Sequence, residues 1–420
     1  MDKFIINGPC KVNGEVKISG SKNASLPILA STLLFDKTVE IKNLPNVKDI
    51  DTMLKLLESF GLKVFRNKRK NSVKIEKKNK ILTLAPYSLV KTMRAGILVL
   101  GPLIAKYKKA TTSLPGGCLI GARPVNHHLS ALKKLGMQYY IKKGYIYAKV
   151  QKNLKGSQIN FSQISVGATE NLIMASCLSE GETILRNCAI EPEIKDLVNF
   201  LNKGGAKIKW IGKRTIKVLG VKSLNSVKYK VMGDRIECGT FCVTAAVTAG
   251  KLIIKGFDPK LISTELSLLK KVGAKIKTDE NKISIKGPKE IKNLKNVVTK
   301  EYPNFPTDLQ AQFMVLLSKG KGISRITENI FENRFVHVGE LRRLGAKINV
   351  KKNTAIIEGI NNLQAAELMS SDLRASVALV IAALVAKGKS IIYRIYHLDR
   401  GYENLEIKLQ KIGAKIKRVR

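Results

Sequence analysis

"ENLEIKLQKIGAKI", residues 403–416, closes a charged amphipathic segment on a glycine and then turns β-prone. Leu405, Leu409 and Ile412 recur at helical spacing. Gly413 stands where a helix ends in a left-handed residue, and a strand follows. The signature occurs six times. "FGLKV", "LGMQY", "GGAKI", "VGAKI", "LGAKI" and "IGAKI" centre on Gly61, Gly136, Gly205, Gly273, Gly345 and Gly413. The glycines lie 68 to 75 residues apart, a period too long for the common solenoid repeats.

A second element recurs upstream of each glycine. "SLPILASTLLFDKTVEI", "MRAGILVLGPLIA", "TENLIMASCLSEGETIL", "GTFCVTAAVTAGKLII", "LQAQFMVLLSKGKGI" and "LRASVALVIAALVAKGKSII" each read as a helix leading into a strand. A helix apolar on nearly all sides must be buried. Each unit therefore reads βαβαββ, with one helix inside and one outside. Six units predict an α/β (α+β) chain of two domains. Each domain is an inside-out α/β barrel of three units around buried helices. The opening "KFIINGPCKVNGEVKISG" reads as strands without a helix of their own and is placed with the last unit. The expected domains are residues 22–232, and residues 1–21 with 233–420, with an active site in the cleft between them.

Hydrophobic residues make up 44% of the 420, which fits a globular chain with ample core. The start is no signal peptide, and "ASVALVIAALVA" stops short of the ~20 residues needed to span a bilayer. Six cysteines at irregular spacing suit a reducing cytoplasm rather than a disulfide framework. Cys238 and Cys242 read as core, since no second pair or nearby histidine completes a metal site. The 75 basic and 32 acidic residues leave a net charge of +43. Such an excess raises nucleic acid as a partner. Yet the lysines are spread along the chain, and aromatic residues do not interleave with them. Steering of small anions is the softer reading.

Local rules break at several helix starts. A cation in the first turn costs about 0.3–1 kcal/mol, yet Lys22 follows a Ser21 cap and Arg94, Arg235 and Arg374 open apolar segments. Cations and helix N-termini facing one cleft would hold a multiply charged anion. Scattered lysine explains Lys22 easily and the arginines less well. Asp308 in "FPTDLQAQF" and Asp372 in "SSDLRASV" occupy matching positions, where capping is the ordinary reading. "YRIYHLDRGYENL" adds Arg394, His397, Asp399 and Arg400, and "ENIFENRFVHVGEL" adds Glu332, Arg334 and His337. Cys118 sits in "SLPGGCLIGARPV", a glycine-bounded loop with Arg123 nearby; a thiol tucked inward at a turn is the plain alternative. The other five cysteines read as strand or apolar-helix positions.

"GSKNASLPI", "LPGGCLIGARPV", "SVGATENLIMA", "DRIECGTF", "FPTDLQAQF", "FENRFVHV", "SSDLRAS" and "RIYHLDRGYE" together resemble the UDP-N-acetylglucosamine 1-carboxyvinyltransferases, a family of enolpyruvyl transferases. The resemblance spans essentially the whole chain in order. It implies transfer of the enolpyruvyl group of phosphoenolpyruvate to the 3′-hydroxyl of UDP-N-acetylglucosamine, with phosphate released by addition and elimination. It implies no metal and no organic cofactor. Cys118 resembles the general acid at C3, on a loop that closes over the site. Asp308 resembles the base near the sugar hydroxyl.

Lys22, Arg123 and Arg400 resemble the groups on the phosphate, and Arg334 and Arg374 the carboxylate clamp. Asn23 also aligns with phosphoenolpyruvate. Arg94, Arg123, Pro124, Val125, Asn126, His127, Ser165, Val166, Gly167, Thr307, Asp308 and Ile330 align with the nucleotide-sugar wall. Glu332, Asp372 and His397 align with supporting positions. The family more often has aspartate then leucine where Asn126 and His127 stand, and a lysine at Gln163. The partners implied are the two small-molecule substrates, without nucleic acid or membrane, for a cytoplasmic chain expected to be a monomer. Two rivals remain at this stage: a shikimate 3-phosphate enolpyruvyl transferase, and a basic RNA-binding protein on a related scaffold.

Overall fold

The computed structural model describes residues 2–77, 80–116 and 125–420. It divides into two compact units. One comprises residues 2–19 and 233–420; the other comprises the described residues of 20–232. Each is mixed helix and sheet, and each contains three repeats of the same motif.

The six glycine signatures are six copies of one backbone device. The glycines have φ between 88° and 104°, a region that β-carbons disfavour. At the last, the Gly413 N–H donates to Gln410 O at 2.9 Å and the Ala414 N–H to Leu409 O at 3.0 Å. This pair of reversed bonds is the Schellman closure of a helix. The same two bonds recur after Leu57, Leu132, Leu201, Leu269 and Leu341. The residue four before each glycine is a buried leucine in all six repeats. That leucine packs the end of the outer helix, and the glycine turns the chain into the next strand.

The sheets follow one plan. In the 20–232 unit, Gln158–Asn160 pairs parallel with Glu182–Arg186, which pairs antiparallel with Thr215–Leu219, and Lys207–Gly212 takes the edge. A second sheet repeats the plan through Leu84–Ala85, Lys109–Ser113, Tyr145–Lys149 and Gln138–Lys142. In the third sheet the leading strand is Val227–Lys230, from the far end of the unit, parallel to Val39–Lys42. The other unit shows the complementary rearrangement. Lys3–Gly8 lies between Ala386–Tyr393 and Ile416–Val419, so the chain's start completes its final repeat. Asn13–Lys17 then leads the next sheet, parallel to Lys251–Lys255.

The buried helices are Lys22–Ser31, Leu100–Tyr107 and Val166–Ser176 in one unit, and Arg235–Val247, Gln310–Ser318 and Leu373–Val385 in the other. Every residue of Arg235–Val247 and of Leu373–Val385 is buried. Two of the expected helices start differently. "MRAGILVLGPLIA" is a 3₁₀ segment, Arg94–Val99, before the α-helix begins at Leu100. Gly101 there lies against Asn171, and a β-carbon would come within 2.3 Å of its Oδ1. Asp308 lies in a one-turn 3₁₀ segment, Thr307–Leu309, ahead of its helix.

The strands also account for the charge. In Lys251–Lys255 and Lys282–Lys286 the residues Leu252, Ile254, Ile283 and Ile285 are buried, and the lysines at the strand ends lie on the other face. Cross-strand partners such as Glu15, 2.7 Å from Lys255, offset a few of these lysines. Among the described residues, no helix is long and apolar enough to cross a membrane.

Gly345 has φ +88° and open space around its missing side chain. Gly345→Ala should therefore lower stability through backbone strain alone, by roughly 1–2 kcal/mol. A denaturant midpoint equal to wild type would refute the left-handed closure there.

Candidate active site

The densest constellation lies within the unit that holds residues 233–420. The two oxygens of Asp308 are taken by two arginines. Arg334 Nη2 donates to Oδ1 at 3.1 Å and Arg374 Nη2 to Oδ2 at 2.8 Å. Both guanidiniums are almost wholly buried, while the Asp308 side chain remains 27% exposed. Burial opposes charge on Arg374, but the attraction of Asp308, Tyr402 and Asp234 outweighs it and drives its pKa upward. The Arg374 guanidinium stacks over the Tyr402 ring at 5.6 Å. Two buried guanidinium forks around one carboxylate can grip a second planar anion in the same way.

The matching aspartates thus do different things. Asp372 is a true cap: its Oδ1 accepts from the backbone N–H groups of Arg374 and Ala375, at 2.9 and 3.1 Å. Asp308 is the N-cap of neither its 3₁₀ turn nor the helix after it, and it reaches across to the arginines. Thr307 Oγ1 donates to Glu328 Oε2 at 2.9 Å, and Glu328 Oε1 accepts from the backbone N–H groups of Ile330 and Phe331. Glu332 is exposed on the turn that follows. His337 is buried, and burial lowers its pKa to about 4, against the pull of nearby Asp372. His397 is half-buried; burial and then Arg394 and Arg400 push its pKa down.

In the 20–232 unit the expected residues form local groups. Ser21 caps Lys22–Ser31, accepting from the Ala24 N–H at 3.2 Å. Lys22 Nζ stands 3.4 Å from Asp49 Oδ2, both groups largely buried, and Asn23 is half-buried beside it. Arg94 opens its 3₁₀ segment. Ser165 caps Val166–Ser176, accepting from the Ala168 N–H at 3.3 Å. Val166 is exposed, and Gly167 is so close to His128 that a β-carbon would lie 3.2 Å from the ring. Val125 immediately precedes the Asn126–Lys134 helix, which carries Asn126 and His127 in its first turn. Cys118, Arg123 and Pro124 lie outside the described residues.

Four groups escaped the sequence reading: Asp49, Glu328, Tyr402 and the Asn171–His128 pair. Asp49 and Glu328 are acidic residues beside apolar runs, and that context was their only signal. The reading of the five remaining cysteines needs correction. Cys238 and Cys242 are helical, but Cys10 and Cys188 lie in irregular segments outside strand and helix, and Cys177 caps a helix end. All five are nonetheless buried. Among the described residues, no group of three or more His, Cys, Asp or Glu is arranged to hold a metal ion.

The chain is similar over its length to known proteins. Residues 6–409 match the family profile described as EPSP synthase (3-phosphoshikimate 1-carboxyvinyltransferase), and the chain belongs to that family of enolpyruvyl transferases. Its relatives include proteins named UDP-N-acetylglucosamine 1-carboxyvinyltransferase. One from Pelagibacter ubique is 60% identical, and one from Acinetobacter baylyi is 48% identical, each over the full length of both chains. The fold matches that of the enolpyruvyl transferase NikO from Streptomyces tendae, with a TM-score of 0.89 at 21% identity, over 100% of this chain and 99% of that one.

His128 Nδ1 lies 3.0 Å from Asn171 Nδ2, which can only donate. The imidazole is therefore neutral, and burial, then Arg94 and His127, lower its pKa to about 4. Because the unfolded ring protonates near 6.5, acidification from there to about 4 removes stability through this residue. NMR titration should find the His128 ring flat from pH 8 to 5. A midpoint near 6.5 would contradict the pairing.

Proposed function

We propose that the chain transfers the enolpyruvyl group of phosphoenolpyruvate to the 3′-hydroxyl of UDP-N-acetylglucosamine and releases phosphate, the first committed step of peptidoglycan synthesis. The observation that carries this reading is the convergence of buried Arg334 and Arg374 on Asp308. The reaction needs a carboxylate clamp and a base, and two buried arginines bonded to one aspartate support those roles.

The chemistry follows from these groups. The sugar oxygen adds to C2 of phosphoenolpyruvate while C3 gains a proton. The resulting tetrahedral intermediate then loses a proton from C3 and expels phosphate from C2. Cys118 gives the proton to C3, and Asp308 takes the one from the sugar hydroxyl. Arg334 and Arg374 hold the substrate carboxylate. When it arrives, it takes over guanidinium donors that Asp308 otherwise occupies, and Asp308 is released toward the hydroxyl. The base thus becomes available when the second substrate is in place. Lys22, Arg123 and Arg400 hold the phosphate, with Asn23 beside them. Asp372 fixes the helix start that presents Arg374, and Glu332 and His397 support the same region. Arg94, Pro124, Val125, Asn126, His127, Ser165, Val166, Gly167, Thr307 and Ile330 form the wall for the nucleotide sugar. The reaction belongs in the cytoplasm, where both substrates are made, and is run by a monomer.

The direct test is phosphate release from phosphoenolpyruvate. Release should require UDP-N-acetylglucosamine, and shikimate 3-phosphate should not replace it. Release supported by shikimate 3-phosphate alone would reverse the assignment. Binding to RNA, if any, should be weak and should vanish with added salt. Asp308→Asn keeps an acceptor oxygen but is a very poor base. Turnover should fall roughly a hundredfold or more in protein whose circular dichroism remains native, and full activity would remove Asp308 from the chemistry.

Fosfomycin offers a second test. Its phosphonate suits the phosphate cations, and attack of the Cys118 sulfur on an epoxide carbon opens the ring to give a thioether. The described cysteines are poor competitors, because burial pushes the Cys177 and Cys188 thiols up to about 12 and raises Cys238 as well. Mass spectrometry should find one adduct, on the peptide containing "LPGGCLIGAR", forming faster with UDP-N-acetylglucosamine present. Adducts spread over several cysteines would exclude this arrangement.

A further inference from the structure

The Arg374 guanidinium is held on two sides, and the second side belongs to residues with no role assigned so far. Arg374 Nη1 donates to the Tyr402 hydroxyl at 3.3 Å. That hydroxyl lies 2.9 Å from Thr240 Oγ1. Gln312 Nε2 donates both to Thr240 Oγ1, at 3.3 Å, and to the backbone carbonyl of Asp308, at 3.1 Å. The path closes on itself: Asp308 carboxylate, Arg374, Tyr402, Thr240, Gln312, Asp308 carbonyl. All five residues belong to the same compact unit. Tyr402, Thr240 and Gln312 are each at most 3% exposed.

The direction of every bond is determined. The single Thr240 proton goes to Ile236 O at 2.7 Å, so Thr240 Oγ1 accepts from both Tyr402 and Gln312. Tyr402 has then used its proton and can only accept from Arg374. The guanidinium is pinned between a carboxylate and a phenol oxygen that has no other polarity available, and it lies over the ring of that same phenol. Two of its five N–H donors are thereby fixed in direction, which orients the rest.

We propose that Tyr402, backed by Thr240 and Gln312, is a positioning residue that sets the orientation of Arg374 toward the substrate carboxylate. The assignment rests on the function proposed above, in which Arg374 grips phosphoenolpyruvate. Tyr402 does not touch substrate. It acts through Arg374 and, around the ring, through the backbone that carries Asp308.

The test is steady-state phosphate release by Tyr402→Phe, which keeps the ring under the guanidinium and removes only the hydroxyl. The loss should fall on one substrate. The KM for phosphoenolpyruvate should rise about tenfold, as expected when a charged donor loses its partner. The KM for UDP-N-acetylglucosamine and the melting temperature should stay near wild type. Thr240→Val should reproduce the pattern, and Thr240→Ser should recover most of what Thr240→Val loses. The double variant of Tyr402→Phe with Thr240→Val should lose little more than either alone, since one ring is already open. A Tyr402→Phe enzyme with unchanged phosphoenolpyruvate KM, or with both KM values and the melting temperature shifted together, overturns the proposal. A wild type without turnover on UDP-N-acetylglucosamine overturns the proposed function and the ring's role with it. An active wild type beside an unaffected Tyr402→Phe overturns the ring alone.

Discussion

A helix apolar on nearly all sides cannot meet water, and this chain contains such a helix in each repeat. The rest of the architecture answers that constraint. Each buried helix has to be followed by a strand, an outer helix and a tight reversal, so that sheet and outer helix can cover it. The reversal is made by one left-handed glycine with a leucine four residues before it. The glycine removes the steric cost of the turn, and the leucine anchors the helix end in the core. Three copies per unit enclose three helices.

A buried helix also creates the site. Its N-terminus carries unpaired N–H groups and a partial positive charge, so a cation placed there is doubly unfavourable. In the 233–420 region Arg374 sits in the first turn of the most apolar helix of the chain. It is retained there because Asp372 caps the helix beneath it, Asp308 meets its charge and Tyr402 accepts a further bond. Breaking one partner of a buried pair is far more destabilising than the pair is stabilising, so Asp308 and Arg374 hold each other in place. The same reasoning applies to Lys22, which sits after the Ser21 cap and against buried Asp49.

Much of this was legible in the sequence. The glycine period and the apolar helices defined the repeat, and the cations at helix starts marked where local rules break, as they do at functional sites. The long motifs carried the family. The partners of those cations were not legible. Asp49 lies 27 residues from Lys22 and Tyr402 lies 28 from Arg374; behind Tyr402, Thr240 is 162 residues away. No local pattern encodes contacts of that kind. The 3₁₀ openings at Arg94 and Thr307 were not legible either.

The two aspartates show how little separates a helix cap from a partner of buried arginines. Asp308 and Asp372 both precede apolar helices, in "PTDLQA" and "SSDLRA". After Asp372 the α-helix starts at once, and its side chain is consumed by the backbone N–H groups of Arg374 and Ala375. Before Asp308 stands Pro306, which leads into a single 3₁₀ turn through Leu309, and the α-helix starts only at Gln310. That turn carries the Asp308 side chain past the position where a cap would form and directs it at two arginines. Its carboxylate stays partly open to solvent while its partners are buried. A cap is spent on its own helix. A carboxylate gripped by two guanidiniums can exchange them for an incoming anion, and that exchange is what the base proposed at Asp308 requires.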